Sequence, residues 1–276
     1  MTAKWVAEDK LPDDAIECSA RDLEGFSLAI VGPGGTGKTA VLRVVEALIV
    51  SFCAPETVRK LAPSNAAARL LGGDTMHALC KLPFGRKRLT SKHGRLSHAV
   101  LTVHRAKWRN SVAAFFDEVS MISADQFMQC NVRIQQAMGP AVSSIAFGNL
   151  CVNLCGDFLQ LPPVDTDGSR HSLARPLDDS GFAQGDDIAD VSATGQERKR
   201  ADAETRQGHD LWRSVSRVVC LRVNIRAQDS LGRLQKEMRE GVISDEMWNV
   251  YTSRILEPND KRLSDPASPF VQHNVQ

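Results

Sequence analysis

Short apolar runs alternate along the chain with longer stretches in which apolar residues return every three or four positions. Phe26–Val31 (FSLAIV) is a compact apolar run ending in a glycine cluster, which predicts a buried strand. Lys38–Ser51 follows with Val41, Leu42, Val45, Leu48 and Ile49 at helical spacing. Val58–Ala62 reads as a weaker strand, and Ser64–Leu71 as a short helix closed by Gly72-Gly73. Val112–Phe116 is a third apolar run, Ala124–Met138 a helix stopped by Gly139-Pro140, and Leu150–Leu154 a fourth strand running into Gly156-Asp157. Strands separated by helices predict an α/β domain with a parallel sheet and right-handed crossovers. Asp165–His209 breaks the pattern: it is rich in Asp, Ser, Gly, Arg and Ala with few large apolar residues, and it predicts a long, mobile polar insertion.

Composition narrows the class. A chain of 276 residues with 42% hydrophobic and 24% charged residues is that of a globular protein. No apolar run approaches the roughly 20 residues of a membrane span. Seven irregularly spaced cysteines point to reduced thiols and an intracellular setting rather than a disulfide framework. Cys151 and Cys155 fall on one face of a strand, where core packing is expected rather than zinc ligation. The net charge of +1 hides a segregation. Between Thr75 and Phe116 there is no Asp or Glu, while Lys81, Arg86, Lys87, Arg88, Lys92, Arg95, Arg105, Lys107 and Arg109 all fall inside. A stretch of this kind attracts polyanions, or is a solvated loop.

Gly32-Pro33-Gly34-Gly35-Thr36-Gly37-Lys38-Thr39 matches the phosphate-loop pattern G-x-x-x-x-G-K-[ST], set between the first strand and the first helix. Glycines let successive backbone N–H groups turn toward phosphate oxygens, Lys38 brings a point charge to the β and γ phosphates, and Thr39 offers a hydroxyl to Mg²⁺. The helix beginning here adds its positive end to the same place. Such an enzyme needs a carboxylate for the metal and a group to orient the attacking water. Phe115-Phe116-Asp117-Glu118 supplies both at the carboxyl end of a strand, where ligands bind in open α/β sheets. Asp117 is assigned to Mg²⁺ and Glu118 to the water. Gln160, after the next strand, is placed to sense the γ-phosphate.

Together GPGGTGKT, APSNAAARLLGGDTMHAL, FFDEVSM and GDFLQLPPV resemble the petite-integration-frequency (Pif) family of superfamily-one DNA helicases, which move 5′ to 3′ and have RecD-type relatives. Leu221-Arg222-Val223-Asn224-Ile225-Arg226 is similar to the family's L-x-x-N-x-R element, and the likeness extends over roughly Gly25–Arg254. It implies a RecA-like ATPase domain that couples hydrolysis of ATP with Mg²⁺ to movement along single-stranded or forked DNA. Lys38, Thr39, Asp117, Glu118 and Gln160 would take the ATPase roles, and Arg226 that of an arginine finger. Pro63, Ser64, Thr75 and His77 would line the strand track, with Trp108 the only ring nearby for stacking. The resemblance further implies a monomer working in the nucleus or mitochondrion, in repair, recombination or telomere maintenance.

Two departures qualify it. No glutamine precedes Gln126, so residues 1–24 form a lead-in without the family's adenine-reading glutamine. No run resembles the motifs of a second RecA-like domain. The expected division is therefore a core over 25–164, the insertion over 165–209, the end of the first motor domain over 210–256 and a second domain barely begun over 257–276. A chain of that kind is expected to unwind poorly alone. A non-motor phosphate-loop switch and an ATPase-dead DNA-binding remnant stay open as alternatives.

Overall fold

A computed structural model describes residues 25–83, 96–163, 172–174 and 193–253, with side chains from 203 onward in the last segment. Expectations for the lead-in, the basic residues 86–95 and the stretch 257–276 lie outside the described residues. The chain divides into two compact units: residues 1–32 with 38–221, and residues 33–37 with 222–276.

Among the described residues the first unit is built on six strands: β1 (Ser27–Val31), β2 (Val58–Ala62), β3 (Asp74–Thr75), β4 (Ala113–Phe116), β5 (Cys151–Gly156) and β6 (Arg217–Cys220). They lie in the order β3-β2-β4-β5-β1-β6, and every neighbouring pair is parallel. Helices cover both faces: α1 (Lys38–Phe52), α2 (Asn65–Leu71), α3 (Met76–Cys80), α4 (His98–Trp108), α5 (Ala124–Met138) and α6 (Ala193–Arg213). The alternation of β4 shows why. Ala114 and Phe116 enter one apolar cluster with Phe127, Ile134 and Trp108, while Ala113 and Phe115 enter another with Leu42 of α1. A strand buried on both faces reads as a continuous apolar run, as this one does. Each of its phenylalanines contributes about 1.5–3 kcal/mol by leaving water. Strands β1 and β5 are neighbours whose connections leave by opposite faces, α1 on one side and α5 and α6 on the other, and such a reversal opens a crevice at the carboxyl ends of a parallel sheet.

Of the polar stretch expected to be a mobile insertion, residues 165–171 and 175–192 lie outside the described residues, and the part from 193 is regular rather than irregular. From Ala193 it is helix α6, and Thr205 and His209 are buried against α5. A β-carbon on Gly208 would sit 1.8 Å from the Ala124 carbonyl oxygen, so the two backbones meet through a missing side chain. Just beyond, Trp212 packs edge-on against Phe127 and Phe158, with ring centroids 6.2 and 5.3 Å apart. Helix packing through a glycine and polar residues leaves no apolar periodicity to read.

The second unit contains the loop Pro33–Gly37 and a helical hairpin, α7 (Ser230–Glu240) and α8 (Asp245–Thr252). β6 completes the sheet of the first unit, which runs to Leu221. Asp229 caps α7 by accepting from the Leu231 and Gly232 amides, and Ser244 caps α8 by accepting from Met247. The Glu237 carboxylate accepts from both the amide and the hydroxyl of Ser244, which ties the two helices together.

Gly208→Ala is expected to cost about 1–3 kcal/mol, as overpacking does, because the clash is with backbone. Urea denaturation checks this; an unchanged midpoint would mean that α6 does not rest on α5.

Candidate active site

In the first unit, β1 delivers the chain to Gly32, whose amide donates to the Gly156 carbonyl at the end of β5 at 3.3 Å. After the loop, Lys38 opens α1 and its Nζ donates to the Gly32 carbonyl at 2.8 Å. Thr39 follows in the first turn of α1. In the second unit the loop itself is held by its own bonds. Thr36 Oγ1 donates to the Pro33 carbonyl at 2.8 Å, and the Ile225 amide donates to the Gly35 carbonyl at 2.9 Å. Gly35 has φ of 80°, and a β-carbon there would lie 2.4 Å from Asn224 Oδ1, so only glycine fits.

Beside that loop, within the second unit, the Asn224 side chain accepts from the Arg226 and Ala227 amides at 2.9 and 3.1 Å. Asn224 thus folds the turn that carries exposed Arg226, with Arg226 Cβ 3.0 Å from where a Gly35 β-carbon would stand. Asn224 has no role of its own in the motif pattern; its short side chain two residues before Arg226, able to form a local turn, was the signal.

The acidic pair sits where β4 ends. Asp117 is buried, and its Oδ1 accepts the Glu118 amide at 3.0 Å. Glu118 stands in left-handed backbone (φ 54°, ψ 44°), which costs a non-glycine residue about 1 kcal/mol or more. Burial raises the Asp117 carboxyl above its ordinary range, while the Glu118 amide and Lys38 pull it down. Burial also raises Glu118, helped by the negative charges of Asp117 and Asp157 and opposed by Lys38. Lys38, Asp117 and Glu118 are thereby brought into one electrostatic neighbourhood. Cys155, expected as a core residue, is one: burial pushes its thiol up to about 12, so it stays protonated and inert.

Asp157 adds a buried carboxylate that the motif reading passed over. Its Oδ1 accepts the Leu159 amide and its carbonyl accepts the Gln160 amide, forming the turn after β5 that leaves Gln160 exposed. The signal was present in Gly156-Asp157, since aspartate after a strand favours such local turns.

The proposed strand-track residues gather at the carboxyl ends of β2 and β3. Ser64 and Thr75 cap α2 and α3 by accepting the Ala67 and Ala78 amides, both at 3.2 Å. Pro63 lies between β2 and that cap, and His77 is half-buried on α3, with its imidazole titrating lower because of burial. Trp108 is not available as the stacking ring expected beside the track. It is fully buried on α4, edge-on to His104 at 6.2 Å, and cannot stack on a base. The α4 stretch, read only as basic, packs that face on α5 while Lys107 pairs with Asp74 at 2.8 Å.

A parallel sheet with helices on both faces and a phosphate loop after its first strand defines a RecA-like P-loop fold. Residues 8–184 match the model of the PIF1-like helicase family, and the chain belongs to that family. It is 31% identical over 172 residues to the ATP-dependent DNA helicase PIF1 of Rattus norvegicus, covering 60% of this chain and 24% of that one. It is 33% identical over 150 residues to the Homo sapiens PIF1, covering 54% and 21%. The fold matches Pif1 helicase from Candida albicans (TM-score 0.58, 20% identity, 90% of this chain and 49% of that one). It also matches Pif1 from Bacteroides in complex with ADP-AlF3 and ssDNA (0.59, 18%, 90% and 51%). The chain thus spans about half the length of the solved structures, and its aligned part a quarter or less of these relatives.

Both carboxyls titrate higher folded than unfolded, so ionising them in the folded state costs stability. The penalty is complete above the folded values and disappears as pH falls through them to the unfolded ones. Glu118→Gln, which keeps the backbone strain, is therefore expected to raise the melting temperature of the nucleotide-free protein at about pH 8. The gain should shrink toward about pH 4, near the ordinary glutamate value. A gain that does not change with pH would refute the electrostatic origin.

Proposed function

We propose that this chain is the ATP-hydrolysing motor core of a 5′-to-3′ DNA helicase, acting on single-stranded and forked DNA. Buried Asp117 and half-buried Glu118 at the end of β4, with Lys38 close enough to stabilise both charges, carry the reading. Membership of the PIF1-like helicase family supports it, as does the likeness to a fold recorded with ADP-AlF3 and ssDNA. A relative studied for unwinding at forked dsDNA, "by two coordinating Pif1 helicases", supports the forked substrate.

The residues fit Mg-ATP. A buried carboxylate whose charge is only partly offset by Lys38 suits a divalent cation, so Asp117 and the Thr39 hydroxyl would hold Mg²⁺. When bound, the cation neutralises charge on the β and γ phosphates. Gly34, Gly35, Thr36 and Gly37 supply backbone donors, and Lys38 exchanges its bond to Gly32 for a phosphate oxygen. Glu118 orients and deprotonates the attacking water, and its raised affinity for a proton suits a base. Gln160 senses the γ-phosphate, and Arg226 offsets charge developing there. Pro63, Ser64, Thr75 and His77 engage the strand; the two capping hydroxyls accept inside the protein and keep an O–H to donate.

Lys38→Ala is expected to abolish ATP turnover, and Glu118→Gln to retain nucleotide while slowing hydrolysis about 10²–10⁴-fold. A phosphate-release assay with and without an oligonucleotide tests both, with stimulation by single-stranded DNA expected in the wild type. Turnover unchanged in Lys38→Ala would overturn the site. Arg226→Ala should cost about 10³–10⁵ in rate with nucleotide affinity little altered, as loss of an arginine finger does.

A further inference from the structure

Among the described residues, four that are not glycine have positive φ: Lys81, Glu118, Phe147 and Asn149. Three have evident reasons. Glu118 belongs to the acidic pair. Phe147 is buried against Phe116 and Phe127, with ring centroids 5.9 and 5.3 Å away. Asn149 tolerates this conformation intrinsically, and its Oδ1 accepts the Gly25 amide at 2.9 Å. Lys81 has no such reason. It is exposed, makes no ion pair with a described residue, and has φ 55° and ψ 44° at the end of α3. Its amide bonds back to the His77 carbonyl, closing the helix at a position where glycine is favoured. A long cationic side chain is thus kept at a place whose backbone asks for none.

The surroundings suit an anion. His77 lies four residues earlier, one helical turn or about 6 Å along the axis. Thr75 caps the same helix, and Lys107 occupies the carboxylate of Asp74 just before it. Lys81 and Lys107 both add positive charge around buried His104, alongside Arg133. No acid follows Asp74 until Asp117.

We propose that Lys81 contacts a phosphate of the single-stranded nucleic acid, extending the track from Thr75 and His77 by one turn. This rests on the motor-core reading above. The left-handed backbone turns the chain at the end of α3 and fixes where the lysine stem starts, and the compact ammonium group then neutralises one phosphate as a point charge.

Lys81→Gly and Lys81→Arg separate charge from backbone. The full chain is titrated onto a fluorescent oligo(dT), and anisotropy is read from about 50 to about 200 mM salt. For Lys81→Gly the slope of log K against log salt should fall in magnitude by about 0.7, the value for one phosphate contact on a single strand. The affinity gap to wild type should therefore narrow about 2.6-fold across that range. The same variant should melt at a higher temperature, because glycine adopts this backbone without cost. Lys81→Arg should keep the wild-type slope. Wild-type affinity and slope in Lys81→Gly would overturn the assignment, as would a slope lost equally in Lys81→Arg. If the wild type itself fails to bind, this proposal and the DNA-track reading fall together; binding by wild type with an unaltered glycine variant removes this proposal alone.

Discussion

The keeping of carboxylates out of water at the end of a doubly covered strand is the constraint on which this structure turns. β4 has no polar side chain, and both its faces are sealed by apolar clusters. Polarity therefore begins abruptly at Asp117, where the strand leaves the sheet. A carboxylate so placed is costly unless something cationic meets it. Lys38 meets it in part, and burial still prevails, since Asp117 and Glu118 remain raised. The charge balance is left incomplete in this way, which is what the proposed roles of a cation-holding aspartate and a proton-accepting glutamate require. The price in stability is the ordinary one for a site prepared ahead of its ligand.

The backbone around the pair obeys the same constraint. Left-handed geometry at Glu118 turns its amide back to Asp117 Oδ1 and ends the strand in one step. A side chain on Gly156 would meet the Val119 and Ser120 amides at 3.0 and 3.2 Å, so the turn after the acids rests directly on the end of β5. Asp157 follows there, and its charge reaches Glu118. Two neighbouring strand ends are thus coupled by backbone contact and by electrostatics. A change in the charge at one is felt at the other without any intervening side-chain chain of contacts.

What could be read from the sequence was what local pattern specifies. The runs that became β1, β2, β4 and β5 are short apolar stretches, and the apolar spacing that became α1 and α5 is helical. The phosphate loop and the acidic pair are contiguous, so their chemistry is written in order. What could not be read depended on distant partners. α6 is polar and buries itself through Gly208, Thr205 and His209, which carry no helical apolar signal. Trp108 looked available because its neighbours are basic, yet it shares with His104 the buried face of α4, which packs on α5. β6 is a four-residue edge strand with every residue exposed, and only its register with β1 defines it. The buried role of Asp157 and the turn made by Asn224 are legible only once their hydrogen bonds are known.

The residues expected along the DNA track carry a structural duty in the same atoms that the proposed contact would use. Ser64 and Thr75 each satisfy an orphan amide at a helix start, which fixes the hydroxyl oxygen and the rotamer. An unconstrained serine or threonine would pay rotamer entropy on meeting a ligand; a capping one has paid it during folding. The helices they start are short, seven and five residues, and would be marginal by themselves. Capping stabilises the helix and fixes the hydroxyl oxygen from which any further bond would be made. Removing either hydroxyl therefore cannot be read as loss of a nucleic-acid contact alone, and a solvent-facing residue with no internal bond is the cleaner reporter of the track.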